Sequence, residues 1–236
     1  MPMSKVKTIL ISGGSQGIGL ELCKYYSAKG FQVITCSRGD RGDLPENVIH
    51  YQVDLSVEAE ILDFVGKLKG SNYKIDGLIN NAAQANFNFM ITTSTAGVKQ
   101  MVDVNFTGLF ILTREISKMM IANRFGRVIN MSSTSLPLHM PLQSVYASSK
   151  AAVEEFSLII SKELAPHNIT VNILGCNPIE TRLIKGIPEE NINYAISRQS
   201  IPRLGQMQDV FNCIDFFLDE KSSFITGQKL YLGGVF

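Results

Sequence analysis

From one end of this chain to the other, short runs of β-branched and apolar residues alternate with longer stretches of helical periodicity. No other feature limits the possible folds so tightly. The runs Thr8 to Ile11, Phe31 to Cys36, Val48 to Val53, Gly77 to Asn80, Arg127 to Met131, Ile169 to Leu174 and Lys229 to Leu232 read as strands. Between them, apolar residues recur at i, i+3 and i+4 over Ile18 to Lys29, Val57 to Leu68, Val98 to Ala122, Val145 to Leu164 and Asp209 to Leu218. Strands that are apolar nearly throughout, joined by helical crossovers, are expected in a mainly parallel sheet covered on both faces. The expected fold is a doubly wound α/β one, with seven strands flanked by helices, as one domain over residues 1–236. The segment 181–205, with Pro188, Pro202 and a helical patch between them, fits the alternation poorly and is expected to be a short lid over a site.

Charge and cysteine usage narrow the partners. Lys plus Arg number 22 and Asp plus Glu 21, so no charge excess points to nucleic acid or an anionic membrane surface. The four cysteines form no CxxC pair and the three histidines no HExxH, so neither a metal site nor a disulfide framework is expected. The apolar run near the N-terminus, Ile9 to Ile11, is too short for a signal peptide, and no run reaches membrane-spanning length. A cytoplasmic protein acting on a small molecule is the expectation.

Directly after the first strand comes Ser12-Gly13-Gly14-Ser15-Gln16-Gly17-Ile18-Gly19, leading straight into a helix. A tight turn there frees backbone N–H groups, and the positive end of the helix favours a pyrophosphate. Gly13, Ser15, Gln16, Gly17, Ile18 and Gly19 are therefore candidate dinucleotide contacts, although the GxxxGxG spacing departs from the commoner GxGxxG. At the end of the second strand, a carboxylate would select NAD(H) through the ribose 2′-OH and an arginine NADP(H) through its 2′-phosphate. The chain reads Cys36-Ser37-Arg38 there, so Arg38 favours NADP(H); Asp40, which favours NAD(H), is the competitor.

Tyr146 and Lys150 share one helical face at i, i+4. An ammonium held ~4 Å from a phenol at an effective dielectric of ~20 would favour the phenolate by ~4 kcal/mol, enough to bring a tyrosine near neutrality and let it exchange a proton with substrate. Such a pair is common by chance, but it does not stand alone. The chain also carries Asp54-Leu55-Ser56, Asn80-Asn81-Ala82-Ala83, Asn105 within Val104-Asn105-Phe106, and Ser132-Ser133. Tyr146-Ala-Ser-Ser-Lys150, Phe224-Ile-Thr-Gly-Gln228 and Gly233-Gly234 complete the series. Together these parts, spread over essentially the whole chain, resemble the short-chain dehydrogenase/reductase family, which implies a Rossmann-type fold.

The resemblance implies a catalytic tetrad of Asn105, Ser133, Tyr146 and Lys150. Ser133, thirteen residues before the tyrosine, would hydrogen-bond the substrate carbonyl oxygen. Tyr146 would donate the proton in reduction, Lys150 would bind the nicotinamide ribose and lower the tyrosine pKa, and Asn105 would position a water. It also implies that Asp54 and Leu55 contact the adenine, Asn81 and Ala82 the ribose side, and Ile179 and Thr181 the nicotinamide end. Two departures stand out: Ala83 replaces the glycine that usually ends the NNAG motif, and Cys176-Asn177 replaces the usual Pro-Gly after the sixth strand.

Within the family, Asn123 to Asn130 and Ile201-Pro202-Arg203-Leu204-Gly205 look most like 3-oxoacyl-acyl-carrier-protein reductases. That likeness implies a carrier-linked β-keto thioester substrate and docking of an acidic carrier protein near Arg124, with His167 standing where a second arginine is usual. The alternatives are a reductase of free ketones, polyols or aromatic polyketides, and a non-catalytic dinucleotide sensor. The resemblance further implies a homotetramer built on the helices that follow the fourth and fifth strands.

Overall fold

The structure, a computed structural model, describes residues 7–179 and 189–235. Seven parallel strands form one sheet: β1 (Thr8–Ser12), β2 (Gln32–Ser37), β3 (Ile49–Gln52), β4 (Gly77–Asn80), β5 (Gly126–Ser133), β6 (Ile169–Cys176) and β7 (Lys229–Tyr231). Their order is β3-β2-β1-β4-β5-β6-β7. Because the order reverses between β1 and β4, the crossovers on either side diverge and leave a crevice beyond the carboxyl ends of these strands, where doubly wound sheets bind ligands.

Alternation along each strand divides the core between the two faces. Ile9 and Ile11 of β1 point to one face, where they meet Leu22 and Tyr26 of α1 (Gly17–Ala28) and Val210, Ile214 and Phe217 of α7 (Met207–Leu218). Leu10 points to the other, where α2 (Glu58–Gly70) contributes Ile61 and Phe64, and α4 (Leu109–Asn123) contributes Leu112 and Ile116. Ile160 of α5 (Ser144–Leu164) joins that second cluster. β6, paired on both sides, is buried at every position, as continuous apolar strands of a twice-covered parallel sheet should be.

The expected single helix from Val98 to Ala122 is not what forms. It is divided into α3 (Thr95–Val102), a π-helical turn Asp103–Gly108, and α4. Two contacts account for the break. A Cβ on Gly108 would collide with the Leu55 carbonyl, so the helix comes up against the loop after β3 at a point only glycine allows. Asn105, wholly buried, is committed to the chain after β4 and to α5. Of the expected lid, residues 181–188 lie outside the described residues, while the remainder forms α6 (Glu189–Ser197) and returns to the sheet through a bridge between Ile179 and Gly205.

Candidate active site

The glycine-rich turn is fixed before any ligand arrives. Gly13 has φ +74°, and a Cβ there would stand 2.8 Å from Ala82 Cα, so turn and β4 end touch through bare backbone. Asn81 locks the contact: its side-chain Nδ2 donates to Ser12 O (3.1 Å) and Gly13 O (3.3 Å), while the backbone N–H groups of Asn81 and Ala82 both donate to Ser12 Oγ at 3.1 Å. At the start of α1, Gln16 makes no side-chain cap and the first turn carries no acidic residue. The first N–H groups of the helix are thus left for an anion.

From this turn a cleft of about 640 Å³ runs across the carboxyl ends of the strands. One end is lined by Gly13, Ser15, Gln16, Ile18, Arg38, Asp54 and Leu55, and the walls beyond by Asn81, Ala82 and Ala83. Gly17 and Gly19 do not line it; Gly17 takes a positive φ of 56° at the head of α1, and Gly19 packs under the Gly13 carbonyl. Arg38 faces the cleft, and Asp40 is not among the lining residues. Asp54 is held by its own loop, Oδ1 accepting from Ser56 N (2.8 Å) and Ser56 Oγ (2.7 Å). Glycine turn, helix N-terminus, Arg38 and the Asp54–Leu55 corner together fit a nicotinamide dinucleotide.

At the far end of the cleft stand Ser133, Tyr146, Lys150, Cys176 and Ile179. Thr181 lies outside the described residues. Ser133 ends β5, where its Oγ accepts from Ser135 N (3.2 Å) and Ser135 Oγ (2.8 Å). Burial pushes the Tyr146 phenol up to about 12, against a hydrogen bond from the Ser133 side chain that pulls it down, although part of the tyrosine faces the cleft. Burial likewise drives Lys150 down to about 8, with Cys176 and Glu154 working to raise it. The Lys150 ammonium makes its hydrogen bond to a backbone carbonyl and not to the Tyr146 phenol. Lys150 Nζ donates to Met131 O at 2.7 Å and lies 5.9 Å from the Tyr146 ring centroid, because a buried ammonium takes the nearest carbonyl. Tyr146 is consequently a protonated phenol at neutral pH, which is the state a proton donor requires.

Asn105 does not line the cleft. Its Oδ1 accepts from Gln84 N (2.7 Å), and its Nδ2 donates to Gln84 O (2.9 Å) and to Ser149 Oγ (3.0 Å), so it joins the loop after β4 to the helix that carries Tyr146. A π-helical turn at a functional position is a recurrent arrangement. Cys176 is buried, and burial pushes its thiol up to about 12, leaving a small packed hydrophobe and no reactive thiol at neutral pH. Its neighbour Asn177 is joined to Gln199 by a hydrogen bond between the two side-chain amides, tying the sixth strand's exit to the segment after α6.

Two groups of residues in the site have no counterpart in the sequence reading. Phe87, Met140, Gln143, Asn191 and Ala195 line the Tyr146 end of the cleft. Gln143 could have been found by helix phase, since it lies three residues before Tyr146 at the head of α5, whereas the rest depends on how loops close. The second group surrounds Glu154, buried one turn after Lys150. Its Oε1 accepts from Ser132 Oγ and from Tyr231 OH (2.6 Å), and Oε2 pairs with Lys229 Nζ at 3.1 Å. Ser132 lines the cleft as well, but its hydroxyl is thereby committed to Glu154, whereas the Ser133 hydroxyl is not.

The short chain dehydrogenase family profile matches residues 7–192. Among characterised relatives, the 3-oxoacyl-acyl-carrier-protein reductase FabG of Buchnera aphidicola subsp. Schizaphis graminum is 30% identical, the match covering 97% of this chain and 96% of that protein. A solved structure of 4-hydroxyisoleucine dehydrogenase complexed with NADH superposes with a TM-score of 0.87 at 29% identity, over 97% of each chain. ElxO with NADP bound gives 0.86 at 25% identity, covering 98% of this chain and 97% of that one. Sheet order, the crevice at its switch point and a match running through the glycine turn, Tyr146 and Lys150 lead to one conclusion: the chain belongs to the short-chain dehydrogenase family of oxidoreductases.

Proposed function

We propose that this protein is an NADP(H)-dependent reductase interconverting a ketone and a secondary alcohol, with a 3-oxoacyl thioester on acyl carrier protein as the first substrate to test. The observation that carries the reading is the convergence of Ser133, Tyr146 and Lys150 at one end of a cleft whose other end holds the glycine turn and Arg38. NADP(H) is preferred to NAD(H) because Arg38, and not Asp40, lines the cleft. Relatives bound to NADH and to NADP both exist, so the dinucleotide class is common ground.

When bound, the reduced nicotinamide supplies the hydride. The chain's own residues do the rest. Ser135 donates to the Ser133 oxygen, and the Ser133 hydroxyl, hydrogen-bonded to Tyr146, turns its proton to the substrate carbonyl as negative charge develops there. Tyr146 gives its phenolic proton to the forming alkoxide. Lys150, fixed on Met131 O, stands ready to compensate the phenolate that results and to hold the nicotinamide ribose. Asn105, by fastening Gln84 and Ser149, keeps the first turns of α5 in register with the loop after β4.

The carrier has a geometric condition. Arg124 follows α4 in a left-handed conformation (φ 51°), exposed and two residues before β5, and Asn168 Nδ2 donates to its carbonyl at 3.2 Å, which brings His167 to the same end of the sheet. Ser133 lies at the opposite end of β5, about 23 Å away at ~3.3 Å per residue. A carrier protein docked at Arg124 would therefore serve the cleft of another subunit. An oligomer is supported by Phe110 and Ile159, exposed on α4 and α5, the faces expected to pair in a homotetramer. The second reading, a reductase of free ketones, polyols or aromatic polyketides, is favoured by His167 and by the distance of Arg124 from its own site.

NADPH oxidation measured with acetoacetyl-carrier protein, acetoacetyl-CoA and simple ketones tests both. Faster turnover of the carrier-bound substrate, lost on Arg124→Glu, supports the first reading; equal rates on free and carried substrate support the second. Tight NADPH binding with no turnover of any carbonyl would overturn both in favour of a dinucleotide sensor.

A further inference from the structure

Beyond the reacting groups, the Tyr146 end of the cleft contains hydrogen-bonding atoms with nothing to bond. Gln143, the residue before α5, is only 8% exposed, and its Oε1 is buried without a partner. Asn191, on α6, lines the same cleft, and its Nδ2 is buried without a partner as well. Buried polar atoms in folded proteins nearly always have partners, and an exception in the wall of a cleft points to a ligand group. One orphan is an acceptor and the other a donor.

Gln143 is also presented with deliberate backbone geometry. Leu142 immediately before it has φ 68° and His139 φ 47°, a region that bulky residues enter at a cost and that clusters at ligand-binding sites. Leu142 O accepts from Asn88 N (3.0 Å) and Gln143 O from Ala147 N (2.8 Å), so the strained segment is held at both ends of the peptide that carries the side chain. Around the two amides the walls are apolar, with Phe87, Met140 and Ala195. Among the described residues lining this cleft the charged side chains are Arg38, Asp54 and Lys150, and of these only Lys150 stands at the Tyr146 end. A carboxylate offers acceptors and no donor for Gln143 Oε1, and a plain hydrocarbon chain would leave both orphans unpaired.

We infer that Gln143 and Asn191 are specificity-determining residues that read the part of the substrate beyond its reacting carbonyl, and that this part is neutral and offers both a donor and an acceptor, as an amide-bearing thioester arm does. The inference rests on the carbonyl-reductase reading above and narrows its substrate class. It favours an acyl thioester with an amide in its arm, or a hydroxylated ketone, over free keto acids and simple alkyl ketones.

The test compares three substrates with NADPH: S-acetoacetyl-N-acetylcysteamine, an unbranched methyl ketone of similar length, and acetoacetate. Each is assayed with the unmodified protein, Gln143→Met and Asn191→Leu. The unmodified protein should show its highest kcat/KM on the thioester. In each variant the ratio of thioester to alkyl-ketone kcat/KM should fall by about 5- to 150-fold, the range for removing one partner of a buried hydrogen bond. NADPH affinity, read by fluorescence titration, serves to show that the variants are folded. An unaltered ratio in both variants, or an unmodified protein that prefers the alkyl ketone or acetoacetate, overturns the inference and leaves the reductase reading standing. No reduction of any of the three, with NADPH bound, removes the reductase reading and the inference with it.

Discussion

Replacing Lys150 with methionine should stabilise the cofactor-free protein while ending its activity. The lysine is 1% exposed, and burial lowers its pKa from 10.5 to about 8. That drop corresponds to a penalty of about 3 kcal/mol on the charged form at pH 7. Methionine has a similar shape and no charge to desolvate. It forfeits the bond to Met131 O, a loss of about 1 kcal/mol, so the net gain is about 2 kcal/mol, or about 4–8 °C in Tm for a chain of this size. The pH dependence identifies the cause. Between pH 8 and 10.5 the unfolded chain retains the Lys150 proton and the folded chain has released it, so the stability of the unmodified protein climbs with pH across that window; below pH 8 the whole penalty is present. The advantage of the variant should thus be greatest at pH 7 and shrink toward pH 10. Thermal unfolding at both values, without cofactor, is the assay. A variant less stable at pH 7, or a gap of equal size at both pH values, would refute the reasoning.

Tyr146→Phe removes the proton donor and leaves the cleft's shape intact, so ketone reduction should fall by about 10²–10⁴-fold while NADPH affinity changes little; stopped-flow reduction and fluorescence titration separate the two, and a rate within tenfold of the unmodified protein rules the role out. Arg38→Asp should weaken NADPH and strengthen NADH, because the 2′-phosphate loses a charge-assisted partner and the 2′-OH gains an acceptor. Affinities measured for both cofactors check it, and an unchanged NADPH preference dismisses Arg38 as the selector.

Much of this arrangement is legible in the sequence because the relevant physics is local. A strand followed by Gly13 to Gly19 and then a helical pattern specifies a turn wherever it occurs, and every strand expected from β-branched runs forms within a residue or two of its bounds. The position of Arg124 was legible too: it precedes a strand, whereas Arg38, Asp54, Asn81 and Ser133 all end or follow one, which sends them to opposite edges of a parallel sheet. The π-helical turn was not legible. Val98 to Ala122 keeps helical apolar spacing throughout, and the break depends on the Leu55 carbonyl, some fifty residues earlier in the chain, meeting Gly108. The orientation of Lys150 is hidden for a similar reason, since spacing on a helix shows that Tyr146 and Lys150 share a face but not which acceptor the ammonium takes. The orphan atoms of Gln143 and Asn191 are defined by what is missing around them, and no pattern of residue types records an absence.

The buried Glu154 cluster bears on how the protein is made. Its carboxylate is answered by Lys229 and Tyr231, which belong to the last strand, and the Tyr231 contact spans 77 positions of sequence. During synthesis the helix bearing Tyr146 and Lys150 emerges before these partners do, and until they arrive the Glu154 carboxylate lacks its countercharge, which makes its burial against β5 costly. Burial of the Glu154 carboxylate thus couples the helix bearing Tyr146 and Lys150 to β7, a strand made after it.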